Sequence, residues 1–363
     1  MKDIDERIQE IQAEIRKTPY HKATEHYIGR LKAKIAKLRE EKLNQDFKVK
    51  GSGGAGYAIK KTGDASVVLV GPPSVGKSTL LNRLTKADSK VGIYDFTTLG
   101  VIPGMLEYKG AKIQIFDVPG IISGAASGKG RGKEVLAVAK SADLIIIMVD
   151  VKSLAKIPAI VAELESAGVR LNEKKPQVSI VKRVSGGIKV NSTTALKLSY
   201  QTIKSLAAEF RLSNAEIIIK EDISLDRLVD AFMGNRAYLP YLVVINKSDL
   251  GIPGNFKKYL PPQAESILIS AESGENLEDL KEKLWLKLGL IRVYLKKAGK
   301  VDYQEPLIVK QGRDLNWILA KTTIPGKENF KSAKIFGLGA KYPGQEVSLT
   351  FLPQEGTVVQ FLS

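Results

Sequence analysis

The sequence predicts an α/β chain of several modules, built on an open, mostly parallel sheet, and three observations carry that expectation. First, the apolar runs Val67 to Val70, Lys112 to Phe116, Leu144 to Val149 and Tyr241 to Ile245 each end at or just before a polar string. Runs of that length read as strands buried on both faces. Second, isoleucines and leucines near the N-terminus recur at spacings of three and four, the period of an amphipathic helix. Third, the stretch from Asp150 to Asn246 is about three times what one crossover helix needs, so a further module interrupts the sheet.

Taken in order, Ile4, Ile8, Ile11 and Ile15 mark one helix, and Ile28, Leu31, Ile35 and Leu38 a second. Pro19 separates them, which predicts a helical hairpin over residues 1–50. Its outer face is expected to carry Lys22, Arg30, Lys32, Lys34, Lys37, Arg39 and Lys42, either solvated or offered to RNA or a protein partner. Gly51-Ser-Gly-Gly-Ala-Gly56 reads as a linker, giving a boundary over 51–64. The sheet domain then takes 65–170 and 226–290 and closes with a helix at Leu280 to Leu288. The interruption, 171–225, reads as α+β: strands at Gln177 to Lys182 and Gly187 to Val190 are expected to form a hairpin, followed by a helix from Tyr200 to Phe210. Beyond Gly289 the pattern turns to strands, at Ile291 to Leu295, Leu307 to Val309, Lys334 to Phe336 and Val347 to Phe351, so residues 291–363 form a small mixed-β domain.

Composition narrows the chemistry. With 363 residues, 44% of them hydrophobic, the chain can build more than one core, and its formal charge of +17 suits a polyanionic partner, ribosomal RNA before a membrane surface. There are no cysteines, which excludes disulfides and thiolate catalysis and points to a reducing cytoplasm. His21 and His26 are the only histidines, and their spacing is poor for a metal. No apolar run is long enough to span a bilayer, so a soluble, unprocessed protein is expected.

Four strings supply the function. Gly71-Pro-Pro-Ser-Val-Gly-Lys-Ser78 has the spacing of a phosphate-binding loop between a strand and a helix. Val75 and Gly76 are expected to present N–H groups, Lys77 to bridge the β- and γ-phosphates, and Ser78 to ligate magnesium. In Asp117-Val-Pro-Gly120, Asp117 holds magnesium through water while the Gly120 N–H faces the γ-phosphate. Thr98, with Thr97 beside it as the alternative, is the hydroxyl expected to reach magnesium when the γ-phosphate is present. Lys77, Thr98 and Gly120 are thus the expected catalytic groups. Asn246-Lys-Ser-Asp249 selects the base, because a carboxylate at Asp249 accepts from both donors on the guanine edge and adenine offers no matching pair. Lys247 accompanies it, and backbone near Ser270 and Ala271 is placed to meet the guanine carbonyl. Ile121 and Ile122 stand where a water-orienting glutamine would be needed, so slow hydrolysis, stimulated by a partner, is expected. Arg131 is assigned to a surface or partner contact.

Together with Phe96-Thr-Thr-Leu-Gly-Val-Ile-Pro-Gly104 and Gly128-Lys-Gly-Arg-Gly132, these strings resemble the developmentally regulated GTP-binding protein (DRG) family, in the Obg branch. The resemblance spans essentially the whole chain. It implies a GTPase domain interrupted by a domain similar to part of a ribosomal protein, and a C-terminal TGS domain of β-grasp type, with phosphate contacts that extend to Gly71, Ser74 and Thr79 and a guanine contact at Lys247. It also implies a cytoplasmic GTPase that uses magnesium, associates with ribosomes or other RNA in translation, and pairs with a small partner of the DRG-family-regulatory-protein type. The free chain is expected to be a monomer with no membrane contact. Ser74 stands where potassium-activated relatives have asparagine, which leaves a potassium (K+) requirement open. A switch whose hydrolysis times its release is the leading expectation, and an RNA or ribosome tether that uses GTP only to hold its fold is the alternative.

Overall fold

The computed structural model describes residues 3–49, 62–85, 102–117, 132–297, 300–324 and 326–362. Thr97, Thr98, Gly120, Ile121, Ile122, Arg131 and the glycine run at 51–56 lie outside these residues. The chain divides into two compact units, one of residues 1–58, 120–140 and 158–239, the other of 59–119, 141–157 and 240–363.

The second unit is built on a six-stranded sheet in the order Ser266–Leu268, Tyr241–Asn246, Leu144–Asp150, Ala65–Val70, Ala111–Asp117, Ile102–Tyr108. Five strands are parallel and the last is an antiparallel edge. Every position of Ala65–Val70 and Tyr241–Asn246 is buried, because the strands are covered on both faces, and this explains their unbroken apolar runs. Register sets Leu69 beside Asp117 and Asn246 beside Asp150, so the polar strings gather at the carboxyl edge of the sheet. That edge is where open α/β sheets bind ligands. The helices Lys77–Leu84 and Leu277–Leu288 pack onto the sheet through Leu80, Leu81, Leu84, Leu280, Leu284 and Trp285.

The same unit ends in a mixed sheet. Leu290–Lys297 pairs antiparallel with Leu307–Lys310 and parallel with Thr357–Leu362, which pairs with Ser332–Phe336 and, beyond it, Gln345–Ser348. Lys300–Val301 adds a short sixth strand on Leu290–Lys297. Setting it aside, with the helix Leu315–Lys321 between Leu307–Lys310 and Ser332–Phe336, the other five have the 2-1-5-3-4 order of a β-grasp fold. The strand expected at Val347 to Phe351 instead stops at Ser348. Beyond that point the Leu349 and Phe351 carbonyls accept N–H groups of Asn316 and Leu315, capping the helix rather than extending the sheet.

In the first unit, the helices Ile4–Lys17 and Lys22–Val49 form the expected hairpin around Ile8, Ile35 and Leu38. The insert has strands Val178–Lys182 and Ile188–Ser192, but they do not pair with each other as a hairpin. Ala215–Ile219 lies between them, antiparallel to one and parallel to the other. Its inward side chains Ala215, Ile217 and Ile219 are fully buried, so the most apolar strand takes the centre and the more polar pair become edges. Helices Tyr200–Glu209 and Leu225–Met233, capped by Ser199 and Ser224, cover this sheet.

The long hairpin helix shares that core through Ile28, Ala33 and Ala36. Glu25, 3% exposed, accepts hydrogen bonds from the Ser199 N–H at 3.1 Å and the Thr202 hydroxyl at 3.0 Å. The basic face is partly tied down within its own unit, although Lys22, Arg30 and Lys34 remain exposed to solvent. Lys22 donates to the Lys197 carbonyl, Arg30 pairs with Glu209, Lys32 with Asp226 and Lys42 with Asp5. Lys37 donates to the Glu209 carbonyl and lies over the Phe210 ring. Helical period shows which residues share a face but not what that face meets, and here residues 197–226 engage Lys22, Arg30, Lys32 and Lys37 while Lys42 pairs within the hairpin.

Candidate nucleotide site

The phosphate loop leaves the central strand at Gly71 and enters its helix at Gly76. A Cβ on Gly71 would lie 2.0 Å from the Met148 carbonyl oxygen, and one on Gly76 would lie 2.4 Å from the Asn246 amide nitrogen. Gly76 also has φ +94°, a conformation other residues rarely adopt. Close approach and backbone turn thus both require the glycine.

Within the loop, Lys77 is 8% exposed, and its ammonium donates to the carbonyls of Gly71 at 3.1 Å and Pro72 at 2.9 Å. Burial pushes its pKa down and Asp117 opposes that shift. Ser78 Oγ donates to Asp117 Oδ2 at 2.9 Å. The other Asp117 oxygen, Oδ1, is buried and has no hydrogen-bond partner among the described residues. An orphaned carboxylate oxygen beside a hydroxyl at the end of a strand fits a divalent cation. Ser78 would hold magnesium directly and Asp117 through water, and the ion supplies positive charge against the β- and γ-phosphates. Thr97, Thr98 and Gly120, assigned to the same cluster, lie outside the described residues. Thr79 is exposed on the first turn of the helix.

The base side is tied to the phosphate side by Asn246, which is 3% exposed. Its amide nitrogen donates to the Val75 carbonyl at 2.8 Å, and its Oδ1 accepts the Ala271 N–H at 2.8 Å. Asn246 thus clamps the phosphate loop to the Ser270–Ala271 segment, and Ala271 spends its N–H on that clamp. Ser270 is fully buried and accepts the Ser273 N–H. Lys247, at φ +63°, donates to the Ser74 carbonyl at 2.9 Å and pairs with Asp150 at 3.2 Å, while Ser74 itself has φ +64°. Burial pushes the Asp150 carboxyl up, but hydrogen bonds from Ser153 and Lys247 more than offset it and hold it below the usual carboxylate range. Asp249 is exposed, and no described residue donates to its carboxylate. It is an acceptor left open at the pocket rim.

Two supports were not visible in the motifs. Arg83 donates to the Glu272 carbonyl at 2.5 Å, joining the end of the phosphate-loop helix to the base segment. Asp150 orients Lys247. Neither has a spacing signal, because each meets its partner only after the sheet edge forms.

A parallel sheet ending in this loop, with a magnesium-ready Ser78 and Asp117 and an open carboxylate at Asp249, defines a P-loop GTPase. The family pattern described as "50S ribosome-binding GTPase" matches residues 66–183, and that described as the C-terminal region of the same domain matches residues 185–290. An uncharacterized GTP-binding protein of Methanocaldococcus jannaschii is 48% identical over 98% of this chain and 92% of its own. Developmentally-regulated GTP-binding protein 2 of Homo sapiens is 41% identical, over 98% of each chain. Among solved structures, the YchF GTPase of Schizosaccharomyces pombe superposes with a TM-score of 0.47 at 12% identity, covering 84% of this chain and 99% of that one. The chain belongs to the developmentally regulated GTP-binding protein family, and its nucleotides are GTP and GDP. Among the described residues no helix is long and apolar enough to cross a membrane.

Proposed function

We propose that the protein is a magnesium-dependent GTP switch acting on ribosomes or other RNA during translation, in the cytoplasm. Its intrinsic hydrolysis is slow and a partner raises it. The observation that carries the switch is the joint built by Asn246, which ties the base segment to the phosphate loop so that the two can respond together. The ribosomal reading draws on the net charge of +17 and on the family pattern that covers residues 66–183. Slow turnover draws on Ile121 and Ile122, which have no group to orient water. The C-terminal β-grasp module is read as a TGS domain. The free chain is a monomer, and a small DRG-family-regulatory-protein-type partner stabilises it.

Ribosome co-sedimentation with GDP, a non-hydrolysable GTP analogue and no nucleotide tests this. The switch predicts strong pelleting with the analogue, weak pelleting with GDP, and single-turnover hydrolysis that rises when ribosomes are added. Equal pelleting in all three states would instead make the protein a tether in which GTP is structural.

A further inference from the structure

Among the described residues, one partly buried cation of the helical hairpin lacks a partner. Arg39 is half-buried, and among the described residues no carboxylate, carbonyl or hydroxyl accepts from its guanidinium. It lines a cavity of about 230 Å³ between the hairpin and the helix Leu225–Met233, together with Lys32, Arg170, Asp226, Asp230 and Arg236.

The charges in this cavity do not cancel. Lys32 and Asp226 pair at 2.6 Å. Arg170 holds Asp230 with two nitrogens, Nε at 2.5 Å and Nη2 at 2.8 Å, and Arg236 Nε reaches the same carboxylate at 2.8 Å. Asp230 is 6% exposed and is thus one buried anion shared by two arginines. Arg39 is the third guanidinium, and it is left facing the other two. Burial pushes its pKa down, and Arg170 and Arg236 push it further, while Glu165 opposes them without reversing the shift. The four cations and two anions leave a net charge of +2 on the lining, in a site whose walls include Ile35 and Val229. A half-buried guanidinium without an acceptor is costly, and like charges in a low-dielectric pocket add to that cost. An anion there removes both penalties.

We propose that this cavity is a binding site for a phosphate group, with Arg39 as the residue that engages it. The volume admits a tetrahedral oxyanion, and the planar guanidinium fork matches two phosphate oxygens at once. The phosphate is either an RNA backbone phosphate or a free one, and the two share this chemistry. The site is separate from the phosphate loop and does not depend on the function assigned to it.

The test uses the full chain saturated with GDP and magnesium, so that the phosphate loop is already filled. Thermal unfolding is followed as sodium chloride is exchanged for sodium phosphate at constant ionic strength. Phosphate should raise the midpoint by at least about 2 °C over chloride. Arg39→Gln should abolish that gain, yet unfold in chloride no lower than the parent, because the lost guanidinium had no partner to leave behind and its removal relieves repulsion with Arg170 and Arg236. A parent midpoint that is the same in both salts, a gain that survives Arg39→Gln, or an equal gain with acetate would each overturn the proposal. A short single-stranded RNA then distinguishes the source. If Arg39→Gln weakens RNA binding and lowers its salt slope by about one, the phosphate belongs to an RNA backbone. If RNA binding is unchanged while the phosphate gain is lost, the ligand is free phosphate.

Discussion

Lys77 and Lys247 in the nucleotide site and Arg39 in the hairpin cavity are three cations that are held in opposite ways. The two lysines rest on the carbonyls of Gly71, Pro72 and Ser74, and Lys247 also on Asp150. Arg39 rests on no acceptor among the described residues and faces two further arginines. In the first case the Gly71 and Pro72 carbonyls occupy the Lys77 donors until phosphate arrives, and Lys247 braces the loop through Ser74, so the site is preorganised at small cost. In the second the fold itself holds an unbalanced charge. The nucleotide site is thus organised by its clamps, whereas the cavity depends on Asp230.

The difference can be broken most forcefully at Asp230. Asp230→Asn leaves Arg170 and Arg236 without their shared carboxylate, and should lower stability by about 3–5 kcal/mol in phosphate-free buffer. GTP affinity of the remaining folded protein should be unchanged, since that carboxylate belongs to the other unit. Chemical denaturation beside a nucleotide titration checks this, and a loss below about 1 kcal/mol would show that Asp230 is not what balances the cavity.

A smaller effect is expected at Asn246. Asn246→Ala removes both hydrogen bonds of the clamp and leaves the Val75 carbonyl and the Ala271 N–H unpaired. Stability without nucleotide should fall by about 2 kcal/mol, and GTP affinity should fall as well because the two halves of the pocket are no longer tied. Hydrogen exchange at Ala271 would report the clamp directly. Unchanged protection there would mean that the joint is not held by Asn246.

How much of this was legible in sequence follows the same division. The sheet edge and the phosphate loop were readable because each is coded within a few neighbouring residues: the apolar run up to Val70, the glycines at 71 and 76, Lys77 and Ser78. Pairing between distant segments was not. The insert strands Val178–Lys182 and Ile188–Ser192 looked like a hairpin because only a short turn separates them, and the burial of Ile217 on a later strand overrode that proximity. The basic hairpin face could be read as solvated or as offered to RNA or a protein partner, because periodicity carries no information on what it meets. The clamping role of Asn246 and the isolation of Arg39 both arise from side chains that meet only in the folded chain, so no spacing records them.

The central claim, that this pocket is built for guanine nucleotides, is tested most directly at Asp249. Competition binding against a fluorescent GDP should rank GTP and GDP far above ATP in the parent protein. Asp249→Asn, which replaces a double acceptor with one donor and one acceptor, should weaken GTP by roughly 100-fold. It should also strengthen binding of xanthosine triphosphate, whose base carries a carbonyl where guanine has its amine. ATP competing as well as GTP, or an Asp249→Asn variant that keeps full GTP affinity, would contradict the account.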